Sequence, residues 1–118
     1  MESFGETDRM VHALHFDGYG NGHQSKDKRL TVPGLKDGFH IFAMEWSPEG
    51  YIFFVDGKET WRTDFGGVSQ VPAYVKVTGE ISSLDWAVTD KWSGDQDPDA
   101  YPDEYIIDYV RVWARETE

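Results

Sequence analysis

The chain has 118 residues, of which 39% are hydrophobic and 15% aromatic, enough for one packed domain and too apolar for a disordered tail. Its 22 Asp and Glu against 11 Lys and Arg give a formal net charge of −11, which argues against nucleic acid or an anionic membrane as partner, because phosphate contacts need clustered cations. There is no cysteine and no apolar run of about 18 residues that could span a bilayer. The opening Met1-Glu2-Ser3-Phe4-Gly5 also lacks the basic and apolar regions of a signal peptide.

Strand patterns follow one another along the chain. Met10 to Phe16 alternates, with Met10, His12, Leu14 and Phe16 on one face and Val11, Ala13 and His15 on the other. A Gly- and Asn-rich loop, Asp17 to His23, comes next. Phe39 to Trp46 and Tyr51 to Val55 read as strands joined by the turn Ser47-Pro48-Glu49-Gly50. Asp56-Gly57 then predicts a tight hairpin into Lys58 to Thr63. Ala73 to Ser82 alternates again, and Tyr105 to Ala114 is apolar enough to predict a central, buried strand. Between these two lies a long irregular segment, Leu84 to Glu104, and loops of that length usually carry function or lack order. No stretch shows a convincing helical period and no repeat is visible. The predicted class is all-β, antiparallel, in a sandwich.

Four stretches carry a resemblance: Val11 to Gly18, Phe39 to Gly50, Ile52 to Lys58 and Ile107 to Trp113. In this order and at these intervals they resemble glycoside hydrolase family 16, the laminarinase, lichenase and agarase group with a concanavalin-like jelly-roll sandwich. The resemblance implies an endo-acting, retaining hydrolase of β-linked polysaccharides that is secreted or periplasmic. The family's active strand carries Glu-x-Asp-x-x-Glu, and only the end of that motif is matched here, with Glu2 at the acid/base position. Sandwiches of this kind run to roughly 200–250 residues. The expectation is therefore that residues 1–118 are the C-terminal half of such a domain, starting just before the acid/base Glu and lacking its nucleophile.

Retaining hydrolysis needs two carboxyl groups about 5–5.5 Å apart, one as nucleophile and one as acid/base. Glu2 would protonate the leaving oxygen and later activate water; otherwise it is a frayed terminal residue. His12 and His15 point opposite ways, so only one can line a cleft, and the resemblance assigns His15, at the place of the family's cleft histidine beside the catalytic carboxylates. His12, His23 and His40 have no comparable claim, and four scattered histidines do not make a zinc site. Trp86 and Trp92 are candidate sugar-stacking platforms, because sugar rings present an apolar C–H face to aromatic rings. Trp46, Trp61 and Trp113 read as packing residues. Thr78 and Glu80 share a strand face that could meet sugar hydroxyls or simply be solvated. Asp95, Asp97 and Asp99 lack calcium-loop spacing and read as a solvated loop. The resemblance makes Asp108 a candidate ligand of a structural calcium, and no cofactor is expected in catalysis. A non-catalytic, lectin-like sandwich is the alternative, and strands left without partners predict a homo-oligomer.

Overall fold

The computed structural model describes residues 1–4, 7–79, 99 and 104–116. Within them, six antiparallel strands make two sheets. The first is ordered β1 (Glu2–Ser3), β2 (Arg9–Phe16), β3 (Gln24–Thr31); the second β4 (Phe42–Ser47), β5 (Gly50–Val55), β6 (Lys58–Thr63). The class is the expected antiparallel sandwich. The six paired strands are fewer than the roughly eight of a full jelly roll, so the arrangement is an incomplete one.

The alternation read along β2 holds. Met10 and His12 are fully buried on the inner face, while His15 is exposed on the other. β3 was not anticipated. Its sequence, Gln-Ser-Lys-Asp-Lys-Arg-Leu-Thr, has little β character, yet it pairs with all eight residues of β2, from Arg9 opposite Thr31 to Phe16 opposite Gln24. The edge of β2, rather than propensity, makes this strand. Asp17 and Gly18, both at positive φ (62° and 69°), turn the chain out of β2.

In the second sheet both hairpins form as expected. Ser47 pairs with Gly50 across Pro48-Glu49, and Val55 pairs with Lys58 across Asp56-Gly57. Asp56 and Gly57 have φ of 50° and 77°, the two left-handed residues of a type I′ turn. A bulge interrupts β6. Phe53 faces Trp61 and Phe54 faces Glu59, which leaves Thr60 as the extra residue.

The sheets meet through the inner face of β2. The His12 ring stacks on Phe53 (centroids 4.8 Å apart, planes at 20°) and lies near-parallel to Trp61 at 6.5 Å. Met10, Leu35 and Val55 form the adjoining buried cluster, flanked by Leu30 and Val32. Leu35 reaches this cluster because Asp8 pins its loop. The Asp8 carboxylate accepts from the Gly34 and Lys36 backbone N–H groups at 3.1 and 3.3 Å, and its carbonyl accepts from Val32 N–H. These backbone donors, Gly34 first, hold the Asp8 carboxyl below its usual pKa.

Two packing expectations are overturned. β4 was expected to be mostly buried, but it starts at Phe42 rather than Phe39, and Phe42, Met44 and Trp46 remain 42%, 46% and 40% exposed. They stand opposite Val55, Phe53 and Tyr51, on the same face as these buried residues. The narrow first sheet covers β5 and β6 only. Tyr105 to Ala114, read as a central strand, has no strand structure, and its apolar residues are exposed, Trp113 by 78%. Residues 73–79, the described part of the predicted Ala73–Ser82 strand, likewise form none. A strand with apolar side chains on both faces needs cover on both, and no described strand lies beside either segment.

Candidate functional site

Cross-strand pairing determines which residues share the open face of the first sheet. Glu2 stands opposite Val11 and Ser3 opposite Met10. Directly opposed residues point to the same side. Since Met10 is buried between the sheets, Glu2 joins Val11, Ala13 and His15 on the outer face. The cross-strand partners on β3 add Arg29, Asp27 and Ser25 to that face. Glu2 and His15 therefore occupy one surface but do not stand side by side as the resemblance implies: four residue steps, from Val11 to His15, separate them by roughly 13 Å of strand. Alternation along β2 gives Glu2 the neighbours Val11, directly opposite, and Arg9 and Ala13 on the diagonals, and none of these is a carboxylate. Asp27, opposite Ala13, is two strands away and pairs with Arg29 at 3.3 Å.

His15 has company that sequence reading did not supply. Its Nδ1 lies 2.9 Å from Nε2 of His23, with ring planes 12° from parallel and centroids 5.2 Å apart. The centroid separation exceeds the N–N distance by about the width of one ring, so the rings lie edge to edge in nearly one plane. One nitrogen donates and the other accepts. Tyr19 leans on both, its centroid 5.7 Å from His15 and 4.9 Å from His23. The available signal was the hairpin itself: a tight return from β2 to β3 must bring residues 19 and 23 back toward the end of β2.

A hollow of about 250 Å³ opens beside His15, bordered by Leu14, Phe16, Tyr51, Phe65 and the Gly66-Gly67 turn. Gly66, at φ 75°, lets the chain pass against the Phe16 ring; a Cβ there would meet it. A second hollow of about 340 Å³, bordered by Trp46, Pro48 and Pro72, has no carboxylate in its lining.

The other histidines serve the fold. The Thr60 hydroxyl donates its single hydrogen to the Phe53 carbonyl (3.1 Å), so His12 Nε2–H must donate to Thr60 Oγ1 (2.7 Å). That leaves the buried His12 Nδ1 as a bare lone pair with no partner among the described residues. Burial, helped by the charge of the N-terminal ammonium, pushes His12 down to about 4, so it is neutral at pH 7. His40 is the opposite case. Its Nδ1 faces the Asp56 carboxylate at 2.7 Å and its Nε2 the Gly34 carbonyl at 2.9 Å; two acceptors require two N–H donors. The Asp56 hydrogen bond leads in raising the His40 pKa, and the same bond leads in lowering that of Asp56.

Of the remaining candidates, Thr78 is exposed in a segment without strand structure, and Glu80, Trp86 and Trp92 lie outside the described residues. Trp46 is half-exposed and donates its indole N–H to the Ser69 carbonyl; Trp61 packs on Phe53 as expected of a packing residue. Asp108 is exposed. Among the described residues no three His, Cys, Asp or Glu side chains are placed to share a metal ion.

The family profile described as "Glycosyl hydrolases family 16" matches residues 1–111. A β-glucanase of Rhodothermus marinus is 31% identical over 96% of this chain, which covers 42% of that protein. The clotting factor G alpha subunit of Tachypleus tridentatus is 28% identical over 85% of the chain, corresponding to 15% of its own length. A β-glucanase of Fibrobacter succinogenes is 27% identical over 75% of the chain and 25% of its own length. The chain thus spans less than half of each of these curated relatives. No solved structure matches it.

Proposed function

The chain belongs to glycosyl hydrolases family 16, and from that membership we propose that it is the acid-bearing part of an endo-acting, retaining hydrolase of β-linked polysaccharides. The observation that carries this reading is the register that sets Glu2 and His15 on one open sheet face. Glu2 is the acid/base residue. Its carboxylic acid gives a proton to the glycosidic oxygen as the C–O bond breaks and a nucleophilic carboxylate bonds to the anomeric carbon. As carboxylate it then takes a proton from the water that displaces that nucleophile. His15, at the far end of the same face, holds sugar hydroxyls, and Thr78, Glu80, Trp86 and Trp92 are further substrate contacts.

Among the described residues Glu2 has no carboxylate neighbour on β1 or β2, so this reading leaves the nucleophile unassigned within them. The chain alone should release no reducing sugar from lichenan, laminarin or agar, because without a nucleophile the double displacement has no covalent step. Turnover by the isolated chain that Glu2→Gln abolishes would overturn this assignment. The same missing neighbour favours a second reading, a non-catalytic carbohydrate-binding sandwich. Joining the chain behind a family Glu-x-Asp strand separates the two: turnover that appears and is lost in Glu2→Gln supports the enzyme, and persistent binding without turnover supports the module.

Polymeric substrate places the site of action outside the cytoplasm, in the periplasm or the medium. Asp108 is the candidate ligand for a structural calcium, which takes no part in the chemistry. The uncovered inner face of β4 supports self-association through strands, which sedimentation at micromolar concentration tests.

A further inference from the structure

The aromatic group at the end of the β2–β3 hairpin has no role in the core and none in the acid/base chemistry. Tyr19 is 83% exposed, so it stabilises the sandwich little. Yet it is seated: its ring rests on the edge-to-edge pair of His15 and His23, at 5.7 and 4.9 Å, tilted by 36° and 41°. His23 is fixed from two sides, by the 2.9 Å ring–ring hydrogen bond and by its backbone N–H donating to the Gly20 carbonyl. A large ring held on one side and open on the other is what stacking against the C–H face of a sugar requires.

Its position adds a second constraint. The outer face of β2 runs from Glu2, opposite Val11, to His15, roughly 13 Å farther along the strand. Tyr19 lies beyond His15. A ligand touching both ends must be an extended chain of several sugar units.

We infer that Tyr19, seated on His15 and His23, is a sugar-stacking subsite remote from the bond that is cleaved, and that it makes affinity grow with the length of the glycan. The inference rests on the β-glycan reading above. Tyr19 touches substrate away from the reacting atoms; His23 positions it.

The test is calorimetric titration of the chain with β-glucan oligosaccharides from disaccharide to hexasaccharide, for the wild type, Tyr19→Ala and His23→Ala. The wild type should bind more tightly as the oligosaccharide lengthens. Tyr19→Ala should lose roughly three- to tenfold in affinity for the hexasaccharide, the size of one aromatic contact, with a smaller loss for the trisaccharide. His23→Ala should lose less, and both variants should unfold at the wild-type urea midpoint. Unchanged hexasaccharide affinity in Tyr19→Ala, or an equal loss at every length, overturns the subsite and leaves the β-glycan reading standing. A wild-type chain that binds no oligosaccharide of any length removes that reading, and the subsite with it.

Discussion

Two apolar runs in this chain have opposite fates. β5, Gly50–Val55, lies between β4 and β6, with Tyr51, Phe53 and Val55 buried under the first sheet. Residues 105–113, Tyr-Ile-Ile-Asp-Tyr-Val-Arg-Val-Trp, are as apolar and as β-branched, yet they form no strand, and their hydrophobic side chains are 46% to 78% exposed. The difference lies in neighbours. β5 is flanked on both sides by strands that tight turns return to it, whereas the C-terminal run has no described strand alongside. Burial of a strand is a property of the sheet it joins, and side-chain chemistry sets only how much is gained on joining.

Hydrogen exchange is the widest test of this contrast. Backbone amides of β5 and β2 should exchange at least roughly a hundredfold more slowly than those of residues 105–113, since protection follows the free energy of opening paired structure. Equal protection in both regions would mean that the C-terminal run is paired in solution, and would point to the copy-to-copy association proposed above.

Mutational cost should divide the same way. Phe53, 3% exposed and in contact with the rings of both His12 and Trp61, should cost about 3–4 kcal/mol as Phe53→Ala in urea unfolding. Val112, 77% exposed, should cost less than about 0.5 kcal/mol as Val112→Ala.

Acid should reach the paired region through His12. Its folded pKa, about 4, is below its ordinary value of 6.5, so protonation favours the unfolded chain. The stability it contributes is complete above pH 6.5 and is lost as pH falls from there toward 4. Between pH 7 and pH 4 the wild type should lose about 2 kcal/mol more than His12→Gln, given about 1.4 kcal/mol per pKa unit and some screening. Parallel pH profiles for the two proteins would show that the imidazole escapes burial.

The smallest expected effect has the opposite sign. His40 has a raised folded pKa, so its support for the Asp56 turn is complete below pH 6.5 and fades as pH rises through that raised value. Its partner Asp56 has a lowered pKa, so the carboxylate side of the bond holds above 3.8 and fails as pH falls through the folded value. The unfolding midpoint of His40→Ala should lie below that of the wild type near pH 6 and converge with it in alkaline buffer.

The sequence was most informative where a local rule and a neighbour agreed. Asp56-Gly57 and Pro48-Glu49 fix their own returns, so β5 and β6 were readable along with their pairing. The alternation of β2 separated buried His12 from exposed His15. β3 was not readable, because a polar eight-residue strand is formed by the edge it meets. The runs at 73–79 and 105–113 were misread for the converse reason: their patterns promise a strand, and their partners are not among the described strands. At the candidate site, Glu2 and His15 were named by the resemblance, while alternation showed only that His12 and His15 face opposite ways. Tyr19 and His23 were not legible, since their meeting depends on the path of the loop. Trp86, Trp92 and Glu80 lie outside the described residues, and only ligand binding can weigh them.

The bulge at Thr60 has one more consequence. It places one residue out of step on β6, with its hydroxyl between the Phe53 carbonyl and the His12 ring. That hydroxyl works like the tooth of a key. If β6 slid by one residue along β5, Glu59 or Trp61 would take its place, and neither can both accept from the imidazole and donate to the carbonyl from there. The contact between His12 and Thr60 thus ties the two sheets at one register inside an apolar seam of Phe53, Met10 and Val55.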